Sequence, residues 1–70
     1  MDRVAVSSSN IASIGYDPDS QTLEVEFHSG GVYQYFQVPT SIHDDFLNAS
    51  SKGQYLSQNI KNRFPYNQVG

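Results

Sequence analysis

Four residues in the last third of the chain have the types needed to hold an anion. Lys52-Gly53, Lys61 and Arg63 fall in a segment without acids, whereas all seven carboxylates (Asp2, Asp17, Asp19, Glu24, Glu26, Asp44 and Asp45) lie before residue 46. Backbone N–H groups at the start of a helix near Lys52 would point outward, and the lysine would add a point charge to a bound phosphate. Ser8 or Ser9 would add a hydroxyl if the N-terminal segment lay alongside. A capping box, a loop glycine and cations at a helix end account for the same residues without any ligand, so both readings stand.

The second candidate is Tyr33-Gln34-Tyr35, whose two tyrosines share one face of any strand that carries them. Exposed, they would stack bases at ~1–3 kcal/mol each. Buried, they are amphipathic core residues with hydroxyls reaching water or a loop. Glu24 and Glu26 nearby would repel phosphate from the sheet surface, which favours burial.

Other constellations fail on spacing. His43-Asp44-Asp45 has no second histidine at metal-ligand distance in sequence, and Asp17-Pro18-Asp19 opens like a calcium loop but places Thr22 and His28 at its sixth and twelfth positions. No nucleophile elbow supports a Ser-His-Asp triad, and so short a chain has little room for a water-excluding cleft. The expectation is a protein that binds rather than catalyses, with no metal and no cofactor.

Elements that position these residues follow from period and punctuation. Ile11–Tyr16 reads as a first strand with Ala12, Ile14 and Tyr16 on one face, ended by the turn Asp17-Pro18-Asp19-Ser20. Leu23, Val25 and Phe27 alternate with Glu24, Glu26 and His28, and Gly30-Gly31 reverses the chain into Val32–Phe36. A three-residue Ser29-Gly30-Gly31 loop, with Gly31 left-handed, would pair Phe27 with Tyr33 and Val25 with Tyr35 and turn both tyrosines inward. A two-residue loop would send them to the acidic face, because a one-residue slip reverses every side chain. The longer loop is favoured for the apolar stack it makes.

Val38-Pro39 ends the third strand, and Thr40 or Ser41 can cap a helix with Ile42, Phe46 and Ala49 on one side and Asp44 and Asp45 near its first turn. Ser51 with Gln54 forms a capping box for a second helix, striped by Leu56, Ile60 and Phe64 and stopped by Pro65. The expected fold is α+β: a three-stranded antiparallel β-meander followed by two α-helices packed on one face, in the order β-β-β-α-α.

Seventy residues make one small domain, residues 1–70 with a core at about 8–66. The net charge of −3 argues against a dedicated nucleic-acid binder, although the basic C-terminal third leaves room for a local patch. Without cysteine there is no disulfide. No run approaches the ~20 apolar residues of a membrane span, and none suits a signal peptide, so a cytoplasmic protein without membrane contact is expected.

Ser8-Ser9 with Ile11, Ile14-Gly15-Tyr16-Asp17, Leu23 and Val25 with Phe27, Gly30 before Tyr33-Gln34-Tyr35, Val38-Pro39, Ala49-Ser50 with Lys52-Gly53, and Ile60 near Phe64 occur in an order that resembles the KTSC domain. That family is named for its place at the C-terminus of some lysyl-tRNA synthetases and also occurs as small free-standing bacterial or phage proteins. The resemblance runs from Ser8 to about Tyr66, aligns Tyr33 and Tyr35 with the family's YxY motif, and implies an RNA context.

The leading expectation is therefore an accessory binding domain for RNA or a nucleotide. Its contacts would come from Lys52, Gly53, Lys61 and Arg63, with Ser8 and an exposed Tyr35. The alternatives are a protein partner or homo-oligomer using the open sheet face (Glu24, Glu26, His28, Val32, Gln34 and Phe36), and an oligomer that sequesters a small nucleotide.

Overall fold

Alternating apolar and polar residues build the strands, and turn chemistry separates them. The computed structural model describes residues 1–70. Its elements are β1 (Arg3–Ala5), β2 (Ile11–Asp17), β3 (Thr22–Phe27), β4 (Val32–Tyr35), α1 (Thr40–Asn48), α2 (Lys52–Tyr55), a π-helical turn over Leu56–Ile60, and β5 (Tyr66–Gln68). The strands form one antiparallel sheet in the order β1-β2-β3-β4-β5. The α+β class stands, but the sheet has five strands rather than three. The two additions are edge strands of three residues each, all exposed. They are held by backbone pairing to β2 and β4, so they carry no buried period that sequence reading could detect.

Strand β2 departs from simple alternation. Ile11 pairs with Phe27 but Ser13 with Glu26, so an extra residue interrupts the register between them. This bulge brings both Ile11 (0% exposed) and Ile14 (2%) into the core. Ile11 takes the core place that regular alternation assigned to Ala12, which is half-buried. At the β2–β3 turn Asp17 behaves as its type requires: its carboxylate accepts from the Asp19 amide at 3.1 Å and from the Ser20 hydroxyl at 3.0 Å.

The hairpin loop is His28-Ser29-Gly30, closed by the Phe27 amide on Gly31 O and the Gly30 amide on Phe27 O, both at 2.9 Å. Gly30, at φ +105°, is the left-handed residue rather than Gly31. The loop starts one residue earlier than expected, so Val25 faces Tyr33 and Leu23 faces Tyr35. Each tyrosine thus meets a partner two residues away from the expected one. A shift of two keeps the face, and Tyr35 is buried at 3% exposure while Tyr33 is half-buried.

Helix α1 starts after Pro39, whose carbonyl accepts from the amides of Ile42 and His43 at 3.0 and 3.3 Å. Thr40 and Ser41 lie inside the helix rather than at its cap, and no acid occupies the first turn. Proline satisfies the N-cap backbone geometry with its fixed φ of −64°, so no side-chain cap is made. Ser51 does cap α2, accepting from the Gln54 amide at 3.4 Å. The second helix then widens: the Lys61 amide bonds to Leu56 O at 2.8 Å, five residues back. It ends at Ile60, earlier than Phe64, yet Leu56 and Ile60 both reach the core. The helices and sheet close on Ile11, Ile14, Leu23, Val25, Tyr35, Val38, Phe46, Leu56 and Ile60.

One titratable contact ties α1 to the sheet. The rings of Tyr16 and His43 stack at 4.4 Å and 9°, and the Tyr16 hydroxyl donates to Val38 O. Burial holds the His43 pKa below its ordinary 6.5, with partial opposition from Asp44 3.6 Å away. The unfolded chain therefore takes up the proton first as pH falls, so this stabilisation is complete above about pH 6.5 and is lost as pH drops through the folded value. The urea midpoint should fall between pH 7.5 and 5.5 by more than it does in a His43→Phe variant. Equal falls would show that the stack has no part in the pH response.

Candidate ligand-binding groove

The N-terminal lead-in, the hairpin loop and the π turn meet because local hydrogen bonds bend them together. The Ser8 hydroxyl accepts from the Asn10 and Ile11 amides at 3.3 Å each, which folds the lead-in into a turn. The His28 amide bonds to Asn10 O at 2.9 Å, and the His28 ring lies 3.0 Å from Ser8 O. Across the gap, a Cβ on Gly53 would sit 3.3 Å from the Asn10 amide nitrogen, so glycine permits a close approach there.

Two adjoining grooves result. The first, of about 540 Å³, is lined by the aromatic residues Phe27, Tyr33, Tyr35 and Tyr66 together with Leu56, His28 and Lys61. The second, of about 600 Å³, has no hydrophobic residue; Ser7, Ser9, Ser50, Lys52 and Gln58 contribute to it. Ser9, Asn10, Gly53 and Ser57 line both. Both volumes lie within the ~300–1,000 Å³ of ordinary small-molecule pockets.

Aromatic packing shapes the first groove. Tyr33 meets Phe27 edge-on at 5.6 Å (86°), and Tyr66 lies 5.9 Å from Tyr33 and 5.6 Å from Tyr35. Tyr66 remains 53% exposed, which leaves much of its ring free. Burial, with smaller contributions from Tyr33 and Tyr66, raises the Tyr35 phenol above its ordinary 10.0, so its hydroxyl is a neutral donor near pH 7.

Charge is segregated. No carboxylate lines either groove, although the protein is net acidic. Lys52, Lys61 and Arg63 have no carboxylate partner; the ion pairs of the structure are made by Arg3 and His43. The Lys52 ammonium instead donates to Ala49 O at 3.4 Å.

Of the residues singled out from sequence, Ser8, Lys52 and Gly53 gather at the polar groove, and Gly53, Lys61 and Tyr35 at the aromatic one. Arg63 is exposed and lines neither. Tyr35 contributes from the core rather than as an exposed platform. Sequence reading missed Tyr66, Asn10 and Ser57 and placed Phe27 and His28 elsewhere. Tyr66, an aromatic just beyond the Pro65 helix stop, offered the one signal for a returning strand.

The opposite sheet face is polar and largely self-satisfied. Arg3, Gly15, Glu24, Gln34 and Asn67 pair in one row across all five strands. Arg3 reaches over Gly15 to Glu24 at 2.7 Å, Gln34 donates to Glu24 at 2.9 Å, and Ser13 donates to Glu26 at 2.8 Å. His28 is not part of this face; the loop carries it to the groove. No helix is long and apolar enough to cross a membrane.

A five-stranded antiparallel sheet backed by two short helices, with a groove at the hairpin end, defines a small α+β domain. A model of the KTSC domain matches residues 7–64, and the chain belongs to the KTSC domain family. A crystal structure of a KTSC domain protein from Yersinia pestis superposes with a TM-score of 0.95 at 46% identity, covering 99% of this chain and 97% of that one. Similar sequences include an uncharacterised protein of Stutzerimonas stutzeri, 48% identical over 87% of this chain and 86% of its own length. A lysine–tRNA ligase of Nostoc sp. is 46% identical over 84% of this chain, and the match spans only 10% of the ligase.

Proposed function

We propose that this KTSC domain is a non-catalytic binding module whose ligand is RNA or a nucleotide, held in the groove between Tyr33, Tyr66 and Lys61. The observation that carries this reading is the company Lys61 keeps. In a protein of net charge −3, an unpaired cation shares an acid-free groove with aromatic rings. Aromatic faces accept bases and an ammonium accepts phosphate, which is how sequence-tolerant single-strand binders hold their ligands. The match to a segment of lysine–tRNA ligases supports an RNA setting. The acidic outer face, with Glu24 and Glu26, restricts contact to this end of the molecule.

Fluorescence anisotropy with a labelled single-stranded oligonucleotide at low salt tests the proposal. Binding should weaken as salt rises, with a log–log slope of about −1 for one or two phosphate contacts at ~0.7 per phosphate. Lys61→Gln should reduce affinity and flatten that slope. Absence of binding at high micromolar protein, or binding indifferent to both salt and Lys61, would overturn it.

A further inference from the structure

The polar groove beside the aromatic one has a composition that phosphate binding alone does not explain. Its lining holds serine hydroxyls and side-chain amides with Lys52 as its sole charge. Two of those hydroxyls are engaged within the chain, Ser8 in its turn and Ser51 at the α2 cap. The side chains of Ser9, Asn10 and Ser57 make no hydrogen bond to protein, and these three residues line both grooves. A ligand running from one groove to the other therefore passes over a cluster of free, neutral donors and acceptors.

Neutral hydroxyls and amides that both donate and accept are suited to a hydroxyl-bearing sugar, whereas a phosphate needs donors only. We propose that the two grooves form one track for single-stranded RNA, with an unpaired base against Tyr33 and Tyr66 and its 2′-hydroxyl read by Ser9, Asn10 and Ser57. This rests on the RNA or nucleotide reading above and adds a choice of nucleic acid. The 2′-hydroxyl, a donor and an acceptor, is the group that separates RNA from DNA at a given site. Single strands are required because a base must leave the stack to reach Tyr66, whose ring is half exposed at the sheet edge. Each groove has one lysine in its lining, Lys61 in the aromatic groove and Lys52 in the polar one.

The test compares RNA and DNA oligonucleotides of one sequence, together with an RNA hairpin lacking unpaired tails, by anisotropy and amide-shift NMR. Single-stranded RNA should bind ~3–10-fold tighter than DNA, the range of one or two net hydrogen bonds. The hairpin should compete poorly. In a Ser9→Ala/Ser57→Ala double variant RNA affinity should fall further than DNA affinity so that the RNA advantage vanishes, and both residues are exposed, so the fold should persist. Tyr66→Ala should weaken RNA and DNA alike by ~5-fold or more, as the loss of a stacked base does. Equal RNA and DNA affinity in the wild type, or an RNA advantage that survives the double variant, overturns the 2′-hydroxyl assignment and leaves the binding module intact. Failure to bind either nucleic acid overturns both.

Discussion

Phe46→Ala is expected to leave the protein largely unfolded at room temperature. Phe46 is 0% exposed, the largest of the fully buried side chains, and stacks on Tyr55 at 5.8 Å and 19°. It is the only fully buried residue of α1, so it anchors that helix to the sheet. Truncating a buried phenylalanine costs ~3–5 kcal/mol, through lost transfer energy and the cavity left behind. A single core in a domain of this length rarely supplies more than ~3–5 kcal/mol of net stability, and there is no disulfide to supplement it. The loss therefore consumes most or all of the margin. Circular dichroism with urea titration measures it, and Phe46→Leu, which keeps most of the volume, should retain a cooperative transition. An alanine variant with an unchanged midpoint would mean that α1 contributes little to the core.

The second large effect belongs to Gly15. A Cβ built there would stand 2.8 Å from Asp2 O and 2.9 Å from the Arg3 Cγ, distances that real methyl groups do not tolerate. The obstacle includes backbone, so Gly15→Ala forces β1 away from β2 rather than displacing a flexible tip. The Arg3–Glu24 contact at 2.7 Å depends on that approach, because the arginine crosses above Gly15. Overpacking of this kind costs ~1–3 kcal/mol. Hydrogen exchange separates it from a general loss of stability: the Val6 amide, bonded to Ala12 O at 3.1 Å, should lose protection while amides between β3 and β4 keep theirs. An alanine variant with full protection at Val6 would show that β1 adjusts without separating.

Both variants act on parts of the fold that differ in how far sequence exposes them. Phe46 is legible because it recurs with Ile42 at helical spacing, and Leu23, Val25 and Phe27 are legible because they alternate with acids. Strand β1 is not, since Arg3, Val4 and Ala5 bury nothing and gain their place by pairing with β2. The β2 bulge is hidden for a related reason. One inserted residue moves Ile11 to the core side without changing the local pattern that a reader sees.

The groove divides in the same way. Lys52, Gly53, Lys61 and the serines announced themselves by type and by the absence of nearby acids, and the structure brings Ser8, Lys52 and Gly53 to one groove and Gly53, Lys61 and Tyr35 to the next. Arg63 looked equivalent to Lys61 in sequence. The wide π turn ends at Ile60, and Lys61 follows directly at the groove while Arg63 lies two residues further along, outside it. Tyr66, the most exposed ring of the aromatic wall, comes from a strand that hydrophobic period could not reveal.

By itself the sequence determined the α+β class, the shared face of Tyr33 and Tyr35, and a C-terminal third carrying cations without acids, and the order of its motifs resembled the KTSC domain. The first three follow from residue type and short-range period, which are local properties. Only the tertiary structure decided the two edge strands, the hairpin register, and the meeting of Asn10, Gly53, Ser57 and Tyr66 around one end of the sheet. Those features rest on backbone pairing and on contacts between residues far apart in the chain. Neither leaves a periodic trace in the order of the amino acids.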